Sequence, residues 1–157
     1  MDNGLAVEDL NSANGVYRRL KDTYELKHGD IVLMGRQMFR YYAAGPASDG
    51  KDPKTPAKEA KGAELVRVLP GGVEENRYPL PPGESVLGRT RGTINFSDDA
   101  YLSSRHARIK NEGDKCILED LQAVNGTFVG VRDRVVVGDG DIILIGHQLL
   151  RVTTTAP

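Results

Sequence analysis

Apolar and polar residues alternate along most of this chain in short runs, separated by Gly, Pro and Asn-Gly punctuation. A period of two is the mark of half-buried strands. From Glu64 onward the segments ELVRVLP, ENRYPLP, SVLGR, INF, HARIK, KCILEDL, TFVGV, RVVV and DIILIGHQLLRV each predict strand, with turns at Pro70-Gly71-Gly72 and Pro82-Gly83. No stretch carries a sustained helical stripe. So many short antiparallel strands predict an all-β sandwich, because a single open sheet would leave one apolar face wet.

The same pattern occurs twice. Residues 5–40 overlie residues 116–151 at a constant shift of 111 without a gap, and 13 of the 36 positions are identical, among them Glu8/Glu119, Asn14/Asn125, Gly15/Gly126, Asp30/Asp141, Gly35/Gly146 and Arg40/Arg151. Similarity of that density predicts two copies of one structural unit. The copies are unequal: strand-like sequence precedes Cys116, whereas four residues precede Leu5. The expected organisation is a truncated, back-half copy over residues 1–42, a linker over 43–62 and a complete copy over 63–157. The linker is rich in Ala, Pro, Gly and Lys, with almost nothing apolar to bury. Residues 1–40 lack the strands that would cover them, and they are expected to lean on the complete unit, to lean on another chain, or to fray.

Composition narrows the function. The chain has 157 residues, 21 Lys and Arg against 22 Asp and Glu, and a net charge of -1, which argues against gripping nucleic acid or an anionic membrane with the whole surface. No apolar run approaches a membrane span, and the start MDNGLAVEDL lacks a signal-peptide pattern, so a cytoplasmic location is expected. One cysteine, Cys116, excludes an intrachain disulfide and any cysteine-based zinc site.

Four motifs carry candidate chemistry: Gly88-Arg89 at a strand end, Ser103-Ser104-Arg105-His106-Ala107 before a strand, Asn125-Gly126-Thr127, and Gly140-Asp141 with Gly146. Taken singly, each reads as turn geometry with solvated side chains; Asn-Gly in particular is a hairpin signature. Two hydroxyls and a guanidinium in consecutive positions, however, can surround a tetrahedral anion. In this order and spacing the motifs resemble the forkhead-associated (FHA) domain family over residues 63–155, and residues 5–40 resemble the back half of the same domain.

That resemblance implies a sandwich of about eleven short strands that binds phosphothreonine peptides through loops at one end: an adaptor in signalling, and not an enzyme. Arg89, Ser103 and Ser104 would contact the phosphate, and Asn125 would hold the peptide backbone. Arg105, Gly126 and Thr127 would support them, while Gly88 and His106 would brace the loops. Arg91, Arg105 and Arg108 would raise the local positive potential. No catalytic residue, metal or cofactor is implied. The family frequently carries Ser or Thr before the Asn-Gly, where this chain has Val124. The expected partner is a threonine-phosphorylated protein, or the chain's own linker phosphorylated at Thr55, and not nucleic acid or membrane. The alternative is a phosphate-independent interaction module that self-associates through the open strands of residues 1–40. A hydrolase built on His106 finds no Ser-His-acid set in support.

Overall fold

The computed structural model describes residues 5–45 and 61–154, and over them the protein is all-β. Its strands are β1 (Leu5–Val7), β2 (Val16–Arg19), β3 (Tyr24–Glu25), β4 (Ile31–Met34), β5 (Gln37–Tyr42), β6 (Glu64–Val68), β7 (Glu74–Pro79), β8 (Gly83–Gly88), β9 (Ile94–Asn95), β10 (Ala107–Asn111), β11 (Cys116–Asp120), β12 (Thr127–Gly130), β13 (Val135–Val137), β14 (Ile142–Ile145) and β15 (Gln148–Arg151). They build an eight-stranded sheet in the order β15-β14-β2-β12-β4-β5-β6-β7, a five-stranded sheet β3-β11-β10-β8-β9 and a two-stranded sheet β1-β13. The expected β-sandwich is thus present. Thr55 lies outside the described residues.

Strand order departs from a simple succession of two units. Strands from residues 5–42 and from residues 64–151 alternate within the same sheets, so pairing crosses the boundaries drawn at 42 and 63. The β4–β5 hairpin is inserted between β12 and β6, and the β14–β15 hairpin extends β2 instead. Corresponding pairs keep one register. Thr127 faces Met34 as Ile145 faces Val16, and Ile117 faces Glu25 as Val136 faces Ala6. At the centre Val129 of β12 faces Arg18 of β2, which is 111 positions earlier. A local two-fold relating the two repeated stretches therefore passes between β2 and β12, each of which pairs with the hairpin that follows the other in sequence. Even the backbone repeats: Asn11 and Gln122, again 111 apart, are the non-glycine residues with positive φ among those described, at 60° and 58°.

The main core lies between the five-stranded sheet and the β12-β4-β5-β6 side of the large sheet. Val32, Met34, Phe39, Tyr41 and Leu65 pack there against Leu87, Ile109, Cys116 and Leu118. Phe39 anchors an aromatic cluster, 6.0 Å from Tyr78 and 5.5 Å from Phe96 between ring centroids. A second, smaller core of Val16, Val131, Val137 and Ile143 sits under the β1-β13 sheet. The large sheet ends on β15 and β7, the five-stranded sheet ends on β3 and β9, and β1 pairs with β13 alone; of these edge strands β3 and β1 belong to residues 1–40, where sequence alone placed the open strands.

Candidate functional site

Three loops meet at one end of the sandwich: 89–93 after β8, 96–106 before β10 and 121–126 before β12. The first two are joined by the backbone, Arg89 N–H donating to Ser103 C=O at 2.9 Å and Arg91 N–H to Ser104 C=O at 3.0 Å. Gly88 makes the approach feasible. A Cβ there would stand 2.2 Å from the Ser104 carbonyl oxygen, so any side chain would push the loops apart. This is the physical reason for glycine before Arg89.

His106 joins the second loop to the third from below. Its imidazole is wholly buried; Nδ1 accepts from Ser103 N–H at 3.2 Å, and Nε2–H donates to Gly126 C=O at 2.8 Å. Both ring nitrogens are thereby satisfied in one neutral tautomer. Above the ring, Ser103 Oγ accepts from Val124 N–H at 3.3 Å, which leaves the hydroxyl hydrogen free to donate outward. Asn125 Nδ2 donates to Tyr101 C=O at 2.9 Å, fixing the side-chain amide at the rim.

Arg89, Ser104 and Asn125 are exposed and Ser103 is half-buried, so the structure brings all four to one surface. Arg91 and Arg105 are exposed beside them, and with Arg89 they form no ion pair among the described residues. The rim is a cluster of uncommitted donors suited to a multiply charged anion.

Two supporting assignments need correction. Thr127 is wholly buried, and its hydroxyl donates to Asp120 Oδ1 at 2.8 Å, which makes it a packing residue below the turn. Arg108 is spent on carboxylates, with Glu119 at 2.7 Å and Glu84 at 3.8 Å, and adds no free positive charge. Gly126 is also buried and acts through its carbonyl on His106. Val124 is 85% exposed and offers no hydroxyl.

Residues of the N-terminal segment reach the same rim, which the sequence did not reveal. Arg19 Nη2 lies 3.5 Å from Ala123 C=O, and its side chain packs so closely on the turn that a Cβ at Gly126 would be 2.3 Å from Arg19 Nε. On the other side, Asp99 is nearly buried and accepts from Arg36 N–H at 2.7 Å, Gln37 Nε2 at 3.1 Å and, through its other oxygen, Tyr101 N–H at 2.9 Å. The Arg36 guanidinium lies 4.7 Å above the Tyr101 ring. Arg36 corresponds to His147 in the repeat, so no motif marked it.

The profile of the family described as "FHA domain" matches residues 85–146. The glycogen accumulation regulator GarA of Mycolicibacterium smegmatis is 31% identical over 116 residues, which are 71% of this chain and 73% of GarA. The oxoglutarate dehydrogenase inhibitor of Corynebacterium jeikeium is 32% identical over 88 residues, and the chain spans 61% of its length. A solved structure from work on phosphothreonine-dependent FHA domain interactions shares 28% identity; the match covers 60% of this chain and 99% of that one, with a TM-score of 0.36.

Proposed function

This chain belongs to the FHA domain family, and we propose that it is a phosphothreonine-peptide-binding adaptor whose site is Arg89, Ser103, Ser104 and Asn125, with Arg105 at its margin. The observation that carries the reading is the convergence of these donors on one rim, locked from beneath by His106. Arg89 would supply charge-assisted bonds to the phosphate, the two serines would add hydroxyl donors, and Asn125 would pair with the peptide backbone. Two of the relatives are known as a regulator and an inhibitor, which supports a non-catalytic function. Among the described residues no helix is long and apolar enough to cross a membrane. We place the protein in the cytoplasm, where threonine kinases act.

The matched registers and paired left-handed residues support reading residues 5–42 as the back half of a second FHA copy, tied by the 43–62 linker to the copy over 63–157. Phosphate on Thr55 of that linker would be held near the pocket at roughly millimolar effective concentration and would compete with other ligands.

The deciding experiment is titration of the full chain with a phosphothreonine peptide library, with phosphoserine and unphosphorylated controls. Binding should require phosphothreonine. Arg89→Ala should weaken it at least about tenfold, since a hydrogen bond to a charged group contributes roughly 1.5–3 kcal/mol. The melting temperature should not move, because the Arg89 side chain is exposed. Full affinity in Arg89→Ala would place the phosphate elsewhere.

A further inference from the structure

The two sides of the local two-fold differ in one respect. β5 gives its outer edge to β6, with Phe39 facing Arg67, Arg40 facing Val66 and Tyr41 facing Leu65. β15, in the corresponding place, ends the sheet, and all four of its residues are exposed. In the other layer β11 gives its outer edge to β10, whereas its counterpart β1 pairs with β13 alone.

Burial follows the same division. Met34 and Phe39 are 0% exposed, but their counterparts Ile145 and Leu150 are 43% and 50% exposed. Cys116 is 2% exposed and its counterpart Leu5 is 52% exposed. An apolar face and two strand edges are thus open together, in the region that residues 61–112 cover on the closed side.

Polar residues on the open side say what it is shaped to receive. On the closed side Gln37 donates to Asp99, and Arg40 pairs with Glu74 at 2.8 Å; both acids come from residues 61–112. Their counterparts Gln148 and Arg151 keep the same identities, yet both are exposed and neither has an acidic partner among the described residues. The open half retains the side chains that hold a front half, without the front half.

We propose that the β15–β1 face is a docking surface for a second front-half FHA segment, distinct from the chain's own residues 61–112. Its first strand adds antiparallel to β15 in the register that β6 takes on β5, so that the residue in the place of Leu65 faces Val152. Its apolar residues cover Ile145, Leu150 and Leu5, and it brings carboxylates to Arg151 and Gln148. A second copy of this chain is a poor occupant, because its own residues 61–112 are already engaged. The proposal rests on the reading of residues 5–42 as a back-half copy, and not on phosphate recognition.

The test adds a synthetic polypeptide of residues 61–112 to the full chain and follows the complex by native mass spectrometry and hydrogen exchange. A 1:1 complex is expected, with slowed exchange at residues 148–151 and 5–7. Leu150→Lys should abolish it and Arg151→Glu should weaken it, while phosphothreonine-peptide affinity of the full chain stays unchanged in both variants. Three results would overturn the proposal. They are no complex, a complex indifferent to Leu150→Lys (the probe having displaced the chain's own residues 61–112), or a dimer of the full chain that the probe does not dissociate.

Discussion

Arg132 donates to Asp30 across 3.2 Å, and Lys21, the counterpart of Arg132 in the repeat, pairs with Asp141, the counterpart of Asp30. Each cation comes from one segment and each acid from the other. The pairing of the two segments is therefore fastened on both sides of the local two-fold by the same kind of contact. Both acids also cap their own turns, Asp30 accepting Lys27 N–H at 2.8 Å and Asp141 accepting Gly138 N–H at 2.7 Å.

Asp30 should be the costlier of the two to remove. It is almost wholly buried and also accepts from Tyr24 OH at 3.0 Å. Asp30→Ala should destabilise by about 1–3 kcal/mol for each buried donor left without a partner, read as a fall in denaturant midpoint. Arg132→Ala should cost no more than about 1 kcal/mol, because its guanidinium is half exposed. Tyr24 gives a second readout. Burial foremost, then the Asp30 charge and hydrogen bond, raise its phenol to about 12, and Asp30→Asn should bring that value down in an ultraviolet titration.

Stability should fall in acid through Asp141. Burial is the largest single influence on this carboxyl and would raise it, but the bonds from Lys21 and Gly138 and the charges of Lys21 and Arg18 together hold it below its usual value of 3.8. A folded-state value below the unfolded one means that the stabilisation is complete above about pH 4 and is lost as pH falls through the folded value. Melting temperatures measured from neutral pH downward should show the drop below about pH 4. The drop should be shallower in Asp141→Asn, and an unchanged profile would remove Asp141 as its source.

Removing the imidazole of His106 should loosen the rim before it touches the phosphate contacts. His106→Ala leaves Ser103 N–H and Gly126 C=O unpaired in a buried place, at about 1–3 kcal/mol. Thermal denaturation should therefore report the loss directly. Phosphopeptide affinity should fall as well, with exchange at Ser103 and Gly126 accelerated even where the sheets remain protected. A variant with normal melting and normal exchange at those amides would deny the bracing role.

Alternation was enough to read the strands: each segment from ELVRVLP to RVVV contains one, while DIILIGHQLLRV folds as two, β14 and β15, around a turn at Gly146-His147. Motif spacing was enough to find the rim, because Gly88, Arg89, Ser103, His106 and Asn125 are local signals with local consequences. Which hairpin lies beside β12 was not legible. Residues 31–40 and 142–151 match nearly like for like, so a binary pattern fits either in the same slot. What distinguishes them is bulk and shape. Phe39 packs on both Tyr78 and Phe96, where Leu150 would leave the aromatic cluster one ring short. The fate of Thr127 and Arg108 was hidden for a related reason. Whether a hydroxyl or guanidinium is free depends on Asp120, Glu119 and Glu84, which lie in other turns or strands.

Arg36 carries the most direct consequence of this pairing for recognition. Its guanidinium lies over the Tyr101 ring while the Tyr101 carbonyl holds the Asn125 amide, so a residue of the N-terminal segment borders the rim proposed to bind the peptide. Arg36→Ala removes one positive charge and one exposed cation–π contact worth about 0.5–1 kcal/mol. Arg36→Gln removes the charge but keeps a polar side chain of similar length. Both variants keep the backbone bond to Asp99 that seats the turn, so the melting temperature should hardly move. Phosphothreonine-peptide affinity should fall about two- to fivefold in both, with the loss shrinking as salt is raised, because a charge near the rim acts over a screened distance. Replacing Arg36 by His, the residue at the corresponding position 147, should give an affinity that rises as pH falls through the ordinary histidine range. An affinity independent of pH and of salt in the Arg36→His variant would mean that this hairpin turn does not border the bound peptide.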